Sequence, residues 1–175
     1  MSNLADGGSK APAATVAGPD RGAGSFDPRE VPEPEIGHGY AYWRSLCRDR
    51  LMPSRRDIDP AAIKDLLPNV FLVEVLHGPP EFRFRLAGTQ IRYEMGEEIT
   101  GKTLDEIDQD GRAGAIFEEY RAAVDRGAPV LFREEYTRHD GKFVHYARLL
   151  CPLSDDGRAV SMLFGVLVAT PLVRP

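Results

Sequence analysis

Apolar positions between residues 40 and 67 recur with the period of a helix. The set at 40–47 predicts an amphipathic helix that ends before Pro53, because proline disfavours helical geometry at the preceding residue. A second helix is predicted to begin at Asp59, which suits the N-cap, and Pro60, which suits the first helical position. The apolar residues of the two helices are Tyr40, Trp43, Leu46, Cys47, Ile63, Leu66 and Leu67.

The pattern changes from helical to strand-like at residue 70. Residues 70–76 are almost continuously apolar, and residues 82–87 alternate between apolar and other side chains. Such segments predict β-strands, and the Gly-Pro-rich turn at 77–80 joins them into a hairpin.

The middle of the chain predicts helices again. Glycines punctuate residues 88–111, which favours short helices and loops over one long element. Residues 112–126 carry apolar side chains on one side and charged ones on the other, so they predict a longer helix. Gly127 suits the C-terminal cap of that helix.

Three predicted strands close the chain, at 130–136, 143–153 and 160–168. Asp140-Gly141 is a strong hairpin signal, because both residue types tolerate the positive φ of a tight turn. A second turn falls at 155–157. The order of two strands, helices and three strands predicts an α+β fold in which a sheet carries a helical segment on one face.

Composition separates a tail from this folded region. Residues 1–35 are rich in Ala, Gly, Pro, Ser and Asp and contain few large apolar groups, so we expect them to be disordered. The net charge of −5 argues against nucleic-acid binding and against a polybasic membrane anchor. The sequence also lacks a secretory signal pattern and an apolar run of membrane-spanning length, which predicts a cytoplasmic protein.

Candidate catalytic and metal-binding residues are few. Glu118-Glu119 and Glu134-Glu135 are adjacent pairs whose side chains diverge, so we interpret them as solvated charged faces. The two cysteines, Cys47 and Cys151, lack the CxxC spacing of a zinc site. The histidines also lack a metal-ligand spacing; they are His38, His77, His139 and His145. We therefore predict neither an enzyme nor a metal site.

Several segments of the chain resemble PAS domains. Residues 136–146 resemble the hairpin in the second half of that family, with Asp-Gly at the turn and an aromatic-rich strand after it. Residues 151–158 and 163–168 resemble its last turn and last strand. A narrower resemblance, to short stand-alone PAS proteins common in alphaproteobacteria, rests on the segments 42–46, 51–55, 59–60, 67–72, 84–89 and 98–102. Together the matches cover about residues 38–170.

This resemblance implies a five-stranded antiparallel sheet with short helices and one longer helix on its inner face, often around a small-molecule pocket. The chain then divides into a disordered tail (1–35), an N-terminal helical extension (36–69) and a PAS-like domain (70–170). The extension would cover the outer face or form a dimer contact. Trp43 and Tyr40 are the candidates for a homodimer interface, although packing on the sheet is the favoured role of Trp43.

The resemblance also bears on cofactors. Haem-binding PAS domains commonly use a histidine on or near the long helix, and residues 112–127 contain none. Photoactive flavin domains of the family use a cysteine in the helical segment, and residues 88–127 contain none. Haem and covalent flavin are therefore disfavoured, the cofactor is unknown, and non-covalent flavin or haem stays open without support.

A plain pocket lined by large side chains is the remaining possibility. The candidate ligand-binding residues are Phe82, Phe84, Tyr93, Met95, Arg112, Phe117, Tyr120, Phe132, Tyr136, Tyr146, Met162 and Phe164. Arg92 and Arg148 are further polar candidates. Most of these aromatic residues are also needed simply to fill a core in a domain of this size.

The sequence therefore predicts a non-catalytic sensory or signalling module that binds a small molecule, a signalling protein or both, and whose output acts in trans. One alternative is a purely structural adaptor with a filled core and no ligand. A small enzyme on the same scaffold is disfavoured, because it needs a convergent polar cluster that the sequence does not reveal.

Overall fold

A computed structural model describes residues 31–79, 81–107, 113–138 and 140–172. Its helices are α1 (Pro34–Cys47), α2 (Thr89–Met95), α3 (Leu104–Ile107) and α4 (Ala113–Arg126). Short 3-10 turns lie at Arg55–Asp57, Pro60–Ile63 and Leu67–Asn69. The strands are β1 (Val70–Val75), β2 (Phe82–Ala87), β3 (Val130–Thr137), β4 (Phe143–Leu153) and β5 (Met162–Pro171).

The five strands form one antiparallel sheet in the order β2-β1-β5-β4-β3. The first and last strands are therefore neighbours in the middle of the sheet, and Phe71 lies opposite Gly165. Gly141 adopts a φ of 80° at the β3–β4 turn, as the Asp-Gly signal predicts. The predicted α+β fold with a five-stranded antiparallel sheet is confirmed.

Each face of the sheet carries its own apolar cluster. The inner cluster joins the sheet to α2, α3 and α4 through Ile91, Leu104 and Tyr120. The outer cluster joins the opposite face to α1 and the 3-10 turns. Because both faces are covered, most of β4 is buried on both sides. Burial on both faces also accounts for the continuous apolar runs that replace strict alternation in the sequence.

Helix α1 lies directly on β4 and β5. Gly39 faces Val166 so closely that a Cβ at residue 39 would overlap its side chain, which lets the helix approach the sheet. Trp43 is 3% exposed, and its indole Nε1–H donates a hydrogen bond to the Pro152 carbonyl at 2.8 Å. The extension is thus an integral layer of the domain.

Two details differ from the sequence-based expectation. Helix α1 begins at Pro34, inside the segment expected to be disordered, because proline presets the φ of a first helical position. Residues 1–30 of that expected tail lie outside the described residues. The second predicted helix is only a 3-10 turn at Pro60–Ile63, although Asp59 accepts the expected capping bond from the Ala61 amide at 2.9 Å. The prolines at 60 and 68 leave too short a segment for a stable α-helix.

Helix α1 ends at a strained residue. Arg48 has φ 51° and ψ −116°, and it is the only non-glycine with positive φ among the described residues. The Arg50 amide donates to the Cys47 carbonyl at 2.8 Å, so Arg48 occupies the first central position of a tight turn. Its angles match a type II′ turn, where glycine is strongly preferred. A side chain held in such a region costs about 1–3 kcal/mol.

Replacing Arg48 with glycine is therefore expected to stabilise the protein. Relief of the strain exceeds the extra unfolded-state entropy of glycine, leaving a gain of about 1 kcal/mol. Urea denaturation would measure it as a higher midpoint at unchanged slope. Asp49→Gly is the matched control: this residue lacks a positive φ, so glycine should lower the midpoint. A lower midpoint for Arg48→Gly would contradict the assignment of strain.

Candidate functional site

The inner face of the sheet divides into an aromatic half and a polar half. The aromatic half belongs to β1, β2 and β5 and includes Phe71, Phe82, Phe84, Leu163 and Leu167. The polar half belongs to β3, β4 and the residue that follows β3; its side chains facing the helices are Glu134, Tyr136, Arg138, Tyr146 and Arg148. A core whose only role was stability would be apolar across both halves.

The aromatic half is tightly packed. The Phe82 ring lies 5.5 Å from that of Tyr120 and 5.4 Å from that of Phe117, measured between centroids. Phe71 lies over Gly165, and any side chain at residue 165 would overlap the ring. These rings fill the space between β1, β2 and α4 with protein atoms.

Arg148 is the centre of the first polar group on the inner face. It is 6% exposed, and its guanidinium contacts Glu119 of α4 and, at 3.1 Å, Glu134 of β3. Burial works to lower the pKa of this arginine, but the neighbouring carboxylates, Glu119 first, outweigh it and raise the pKa. The group therefore keeps its charges inside the fold.

Glu94 is the centre of the second polar group. This buried carboxylate of α2 accepts two bonds from Arg138 Nη1, at 3.2 and 3.1 Å. The Tyr146 hydroxyl donates to Glu94 Oε2 at 3.3 Å and also hydrogen-bonds the Tyr136 hydroxyl. Burial, followed by the bond to Tyr136, raises the pKa of Tyr146, so the phenol stays protonated at neutral pH.

The second group extends to the surface. Arg138 Nη2 donates to Asp140 at 2.6 Å and to the Tyr93 hydroxyl at 3.2 Å. The Arg138 guanidinium also lies over the Tyr93 ring, 4.7 Å from its centroid. The hydrogen bond from Arg138 holds the pKa of Asp140 well below its usual range. Tyr93, which is 54% exposed, is the outer end of this chain of contacts.

The two groups together carry an excess of negative charge. Two guanidiniums, Arg138 and Arg148, face four carboxylates, namely Glu94, Asp140, Glu119 and Glu134. The balance is two negative charges among these six side chains. Such a surface favours a neutral or cationic molecule that donates hydrogen bonds over an anion.

A shallow cleft lies beside the exposed end of the second group. It has a volume of about 300 Å³ and is lined by Thr89, Arg92, Tyr93, Gly96, Glu97 and Glu98. Its side chains pair with each other, since Arg92 Nε lies 3.0 Å from Glu98. The cleft therefore lies at the surface next to the polar half, and it is separate from the inner face that lies between the sheet and the helices.

The described ligand-binding residues predicted from the sequence lie in three places. Those that pack with the inner cluster or line its polar half are Phe82, Phe84, Met95, Phe117, Tyr120, Phe132, Tyr136 and Tyr146. Met162 and Phe164 pack in the outer cluster instead, because consecutive strand residues point to opposite faces. Tyr93 lies at the surface, and Arg112 lies outside the described residues.

The interpretation of the carboxylate pairs as solvated charged faces is wrong for one residue of each pair. Glu118 and Glu135 are exposed, as expected, but Glu119 and Glu134 turn inward to Arg148. The sequence did carry a signal for Glu134, because alternation along the predicted strand places its side chain on the same face as those of Phe132 and Tyr136. Glu94 and Arg138 carried no such signal, since only the approach of α2 to the β3–β4 hairpin brings them together.

The predicted interface residues and the cysteines belong to the outer layer. Trp43 packs inside the protomer and offers almost no surface to a second copy, whereas Tyr40 is half-buried. Cys47 and Cys151 both lie in the outer cluster, so neither thiol faces the space between the sheet and α4. Burial raises the pKa of both thiols. Within the described ranges, no group of three or more His, Cys, Asp or Glu side chains is arranged to hold a metal ion.

No helix in the described part of the chain is both long and apolar enough to cross a membrane. Comparison with curated proteins finds no match. Among solved structures, a LOV protein from Rhodobacter sphaeroides is similar, with 15% identity and a TM-score of 0.46 over 67% of this chain and 70% of that one. The LOV domain of a blue-light activated histidine kinase from Erythrobacter litoralis matches at 14% identity and a TM-score of 0.46, over 59% and 96%.

A third similar structure is the VqmA dimer of Vibrio cholerae. It shares 16% identity at a TM-score of 0.50, over 65% of this chain and 50% of that one, which establishes likeness of fold alone. The family profile described as "PAS domain" matches residues 34–168 and thus includes α1, all five strands and both groups on the inner face. The chain accordingly belongs to the PAS domain family.

Proposed function

We propose that this chain is a non-catalytic PAS-type sensory module that binds a small molecule at the polar half of its inner face and passes the signal to another protein in trans. The observation that supports the proposal is the ionic group between α4 and the sheet, in which buried Arg148 contacts the half-buried Glu119 and Glu134. PAS folds commonly use this face for ligands, and here its β3–β4 half carries charged and phenolic groups.

Stability alone does not account for these buried charges. Moving ions out of water costs several kcal/mol each, and replacing a buried ion pair with well-packed apolar residues is often neutral or stabilising. The aromatic half shows that this sheet packs apolar side chains well, with Phe71, Phe82 and Tyr120 in mutual contact. The polar half is therefore better explained by recognition than by folding.

The charge balance defines the class of ligand. Four carboxylates against two guanidiniums favour a neutral or cationic molecule with hydrogen-bond donors. The protonated Tyr146 hydroxyl adds a group that both donates and accepts. Covalent flavin is not part of the proposal, because both thiols lie in the outer cluster.

The absence of catalysis is proposed on the state of the same groups. Burial raises the pKa of Tyr120 and Tyr146, so both are poor nucleophiles at neutral pH. The arginines and carboxylates pair with each other, whereas nucleophilic catalysis needs a nucleophile beside a general base. The expected homodimer stays a prediction, with Tyr40 as the part of α1 that a second copy would contact.

A second function, a structural adaptor without ligand, is favoured by one observation. The aromatic half is filled by its own rings, with Phe82 between Phe117 and Tyr120. A small molecule that binds this face must then bind outside the aromatic half. The two functions differ in whether purified protein carries a bound molecule.

Native mass spectrometry of protein purified from cells, compared with its denatured mass and with an absorbance scan, tests the proposal. We expect a non-covalent mass on the wild type and on Glu135→Gln, an exposed matched control one residue away on the opposite face. Glu134→Gln should weaken retention at least about tenfold, because it removes one charged hydrogen-bonding partner. Bare wild-type mass would support the adaptor, and equal retention in both variants would place any ligand elsewhere.

A further inference from the structure

The last turn of α1, the first 3-10 turn and the segment between them together have a charge opposite to that of the whole chain. Residues 44–57, called the arginine loop below, contain five arginines against two aspartates, a local charge of +3 in a chain of net charge −5. The arginines are Arg44, Arg48, Arg50, Arg55 and Arg56, and the aspartates are Asp49 and Asp57.

These charges lie close together in space. Arg50 Nη2 lies 2.7 Å from Asp57 Oδ2. Hydrogen bonds from Ser54 and Arg50, together with the charge of Arg48, lower the pKa of the Asp57 carboxyl. Arg44 and Arg50 both act on the Cys47 thiol at the end of α1. Arg44, Arg48 and Arg50 therefore lie near the C-terminus of α1.

An exposed apolar side chain lies within this basic region. Leu51 is 83% exposed, more than any other large apolar side chain among the described residues. Met52 and Pro53, which follow it directly, are buried, so the loop is anchored on the C-terminal side of Leu51. A well-exposed leucine held on an anchored loop and flanked by guanidiniums has the character of an interface anchor.

The backbone strain at Arg48 is an independent observation on the same loop. Glycine would form the turn without strain, and Arg44 already supplies positive charge in the last turn of α1. A residue held in a sparsely populated conformation points to a function outside folding. The guanidinium at residue 48 is therefore better explained by an interaction with another molecule.

We propose that the arginine loop docks an acidic segment of another protein, in which an apolar side chain packs on Leu51 between the aspartate and glutamate residues that meet the arginines. Charge complementarity favours an acidic partner. The exposed side chain of Leu51 favours a protein over other polyanions, because a protein segment can pack an apolar side chain on it. Nucleic acid and an anionic membrane fit less well, because Asp49 and Asp57 interrupt the continuous basic surface that a row of phosphates requires.

This docking surface lies outside the inner face and goes beyond the proposed sensory function. Arg48 and Leu51 follow α1, which covers the outer face of the sheet, whereas the candidate ligand site lies beneath α4. Loss of either site leaves the other in place, so failure of one proposal is distinguishable from failure of the other.

The test is fluorescence anisotropy with the full chain and a labelled synthetic peptide of Asp and Glu residues around a central Leu. Wild type should bind, more weakly as salt rises. Arg48→Gly should weaken binding about fivefold while the protein becomes more stable, and Leu51→Ser should weaken it to a similar extent. Arg85→Gln, an exposed arginine on β2, is the control and should leave affinity unchanged.

Several results would overturn the proposal. One is the absence of peptide binding, and another is an equal effect of Arg85→Gln, which would reveal only diffuse charge attraction. Equal binding of a peptide whose Leu is replaced by Ser would remove the role of Leu51. Tighter binding to duplex DNA or to phosphatidylserine vesicles than to the peptide would assign the loop to those polyanions instead.

Discussion

Trp43→Ala is expected to lower the free energy of unfolding by about 3–5 kcal/mol, the range for removing a large buried aromatic side chain. The indole is 3% exposed within the outer cluster and packs beside Tyr40, with ring centroids 6.2 Å apart. Its loss also leaves the Pro152 carbonyl without its 2.8 Å indole donor. Since domains are stable by only about 5–15 kcal/mol, the variant should be close to unfolding.

Urea denaturation of Trp43→Ala and Trp43→Phe separates the two contributions. Phenylalanine refills most of the space but cannot donate to Pro152, so its cost should be about 1–2 kcal/mol. Sedimentation of both variants at several protein concentrations provides the control for assembly. If Trp43→Ala kept wild-type stability at low concentration but changed the subunit number, the indole would belong to an interface and not to the outer cluster.

The sheet was predictable because its strands carry strong local signals. Residues 143–153 were predicted as a strand with the bounds that β4 has, and the Asp140-Gly141 turn fixed the hairpin before it. The same patterns placed α4 to within one residue of its start. Such elements depend on periodicity and turn chemistry, which a single sequence displays directly.

The candidate site was less predictable, because it depends on contacts between distant segments. Glu94 and Arg138 are 44 positions apart and meet only where α2 approaches the hairpin. In the sequence, Glu119 is one of several charges on an amphipathic helix, and only the fold brings Arg148 into contact with it. Sequence periodicity shows which face a residue occupies, but it does not show which charge on another element lies opposite.

The outer layer was predicted only as one of two alternatives, in which the N-terminal extension covers the outer face or forms a dimer contact. The apolar runs at β1 and β4 indicate strands buried on both faces, yet the sequence does not show what covers each face. Helix α1 covers the outer one, and Gly39 permits its close approach to Val166. Because both faces of the sheet are covered, exposure to solvent does not explain the charged groups on the inner face.

Arg148→Met is therefore the variant that best probes the inner face. Methionine fills much of the space, but Glu119 and Glu134 lose their shared cation while staying largely buried. Breaking a buried ion group by removing one partner typically costs about 3–5 kcal/mol, because the carboxylates lose the cation that they share. Arg85→Met, at an exposed site, should change stability by no more than about 0.5 kcal/mol.

A triple variant shows whether the cost belongs to the charges or to the space. Adding Glu119→Gln and Glu134→Gln to Arg148→Met removes the two negative charges that faced Arg148, so stability should return to within about 1 kcal/mol of wild type. Chemical denaturation measures the recovery, and native mass spectrometry of the same protein measures ligand retention. A triple variant that folds but carries no bound molecule would assign the charges to recognition. If it retained the molecule, the polar half would not be the binding site, and if it failed to recover, packing around the Arg148 stem would be what these side chains supply.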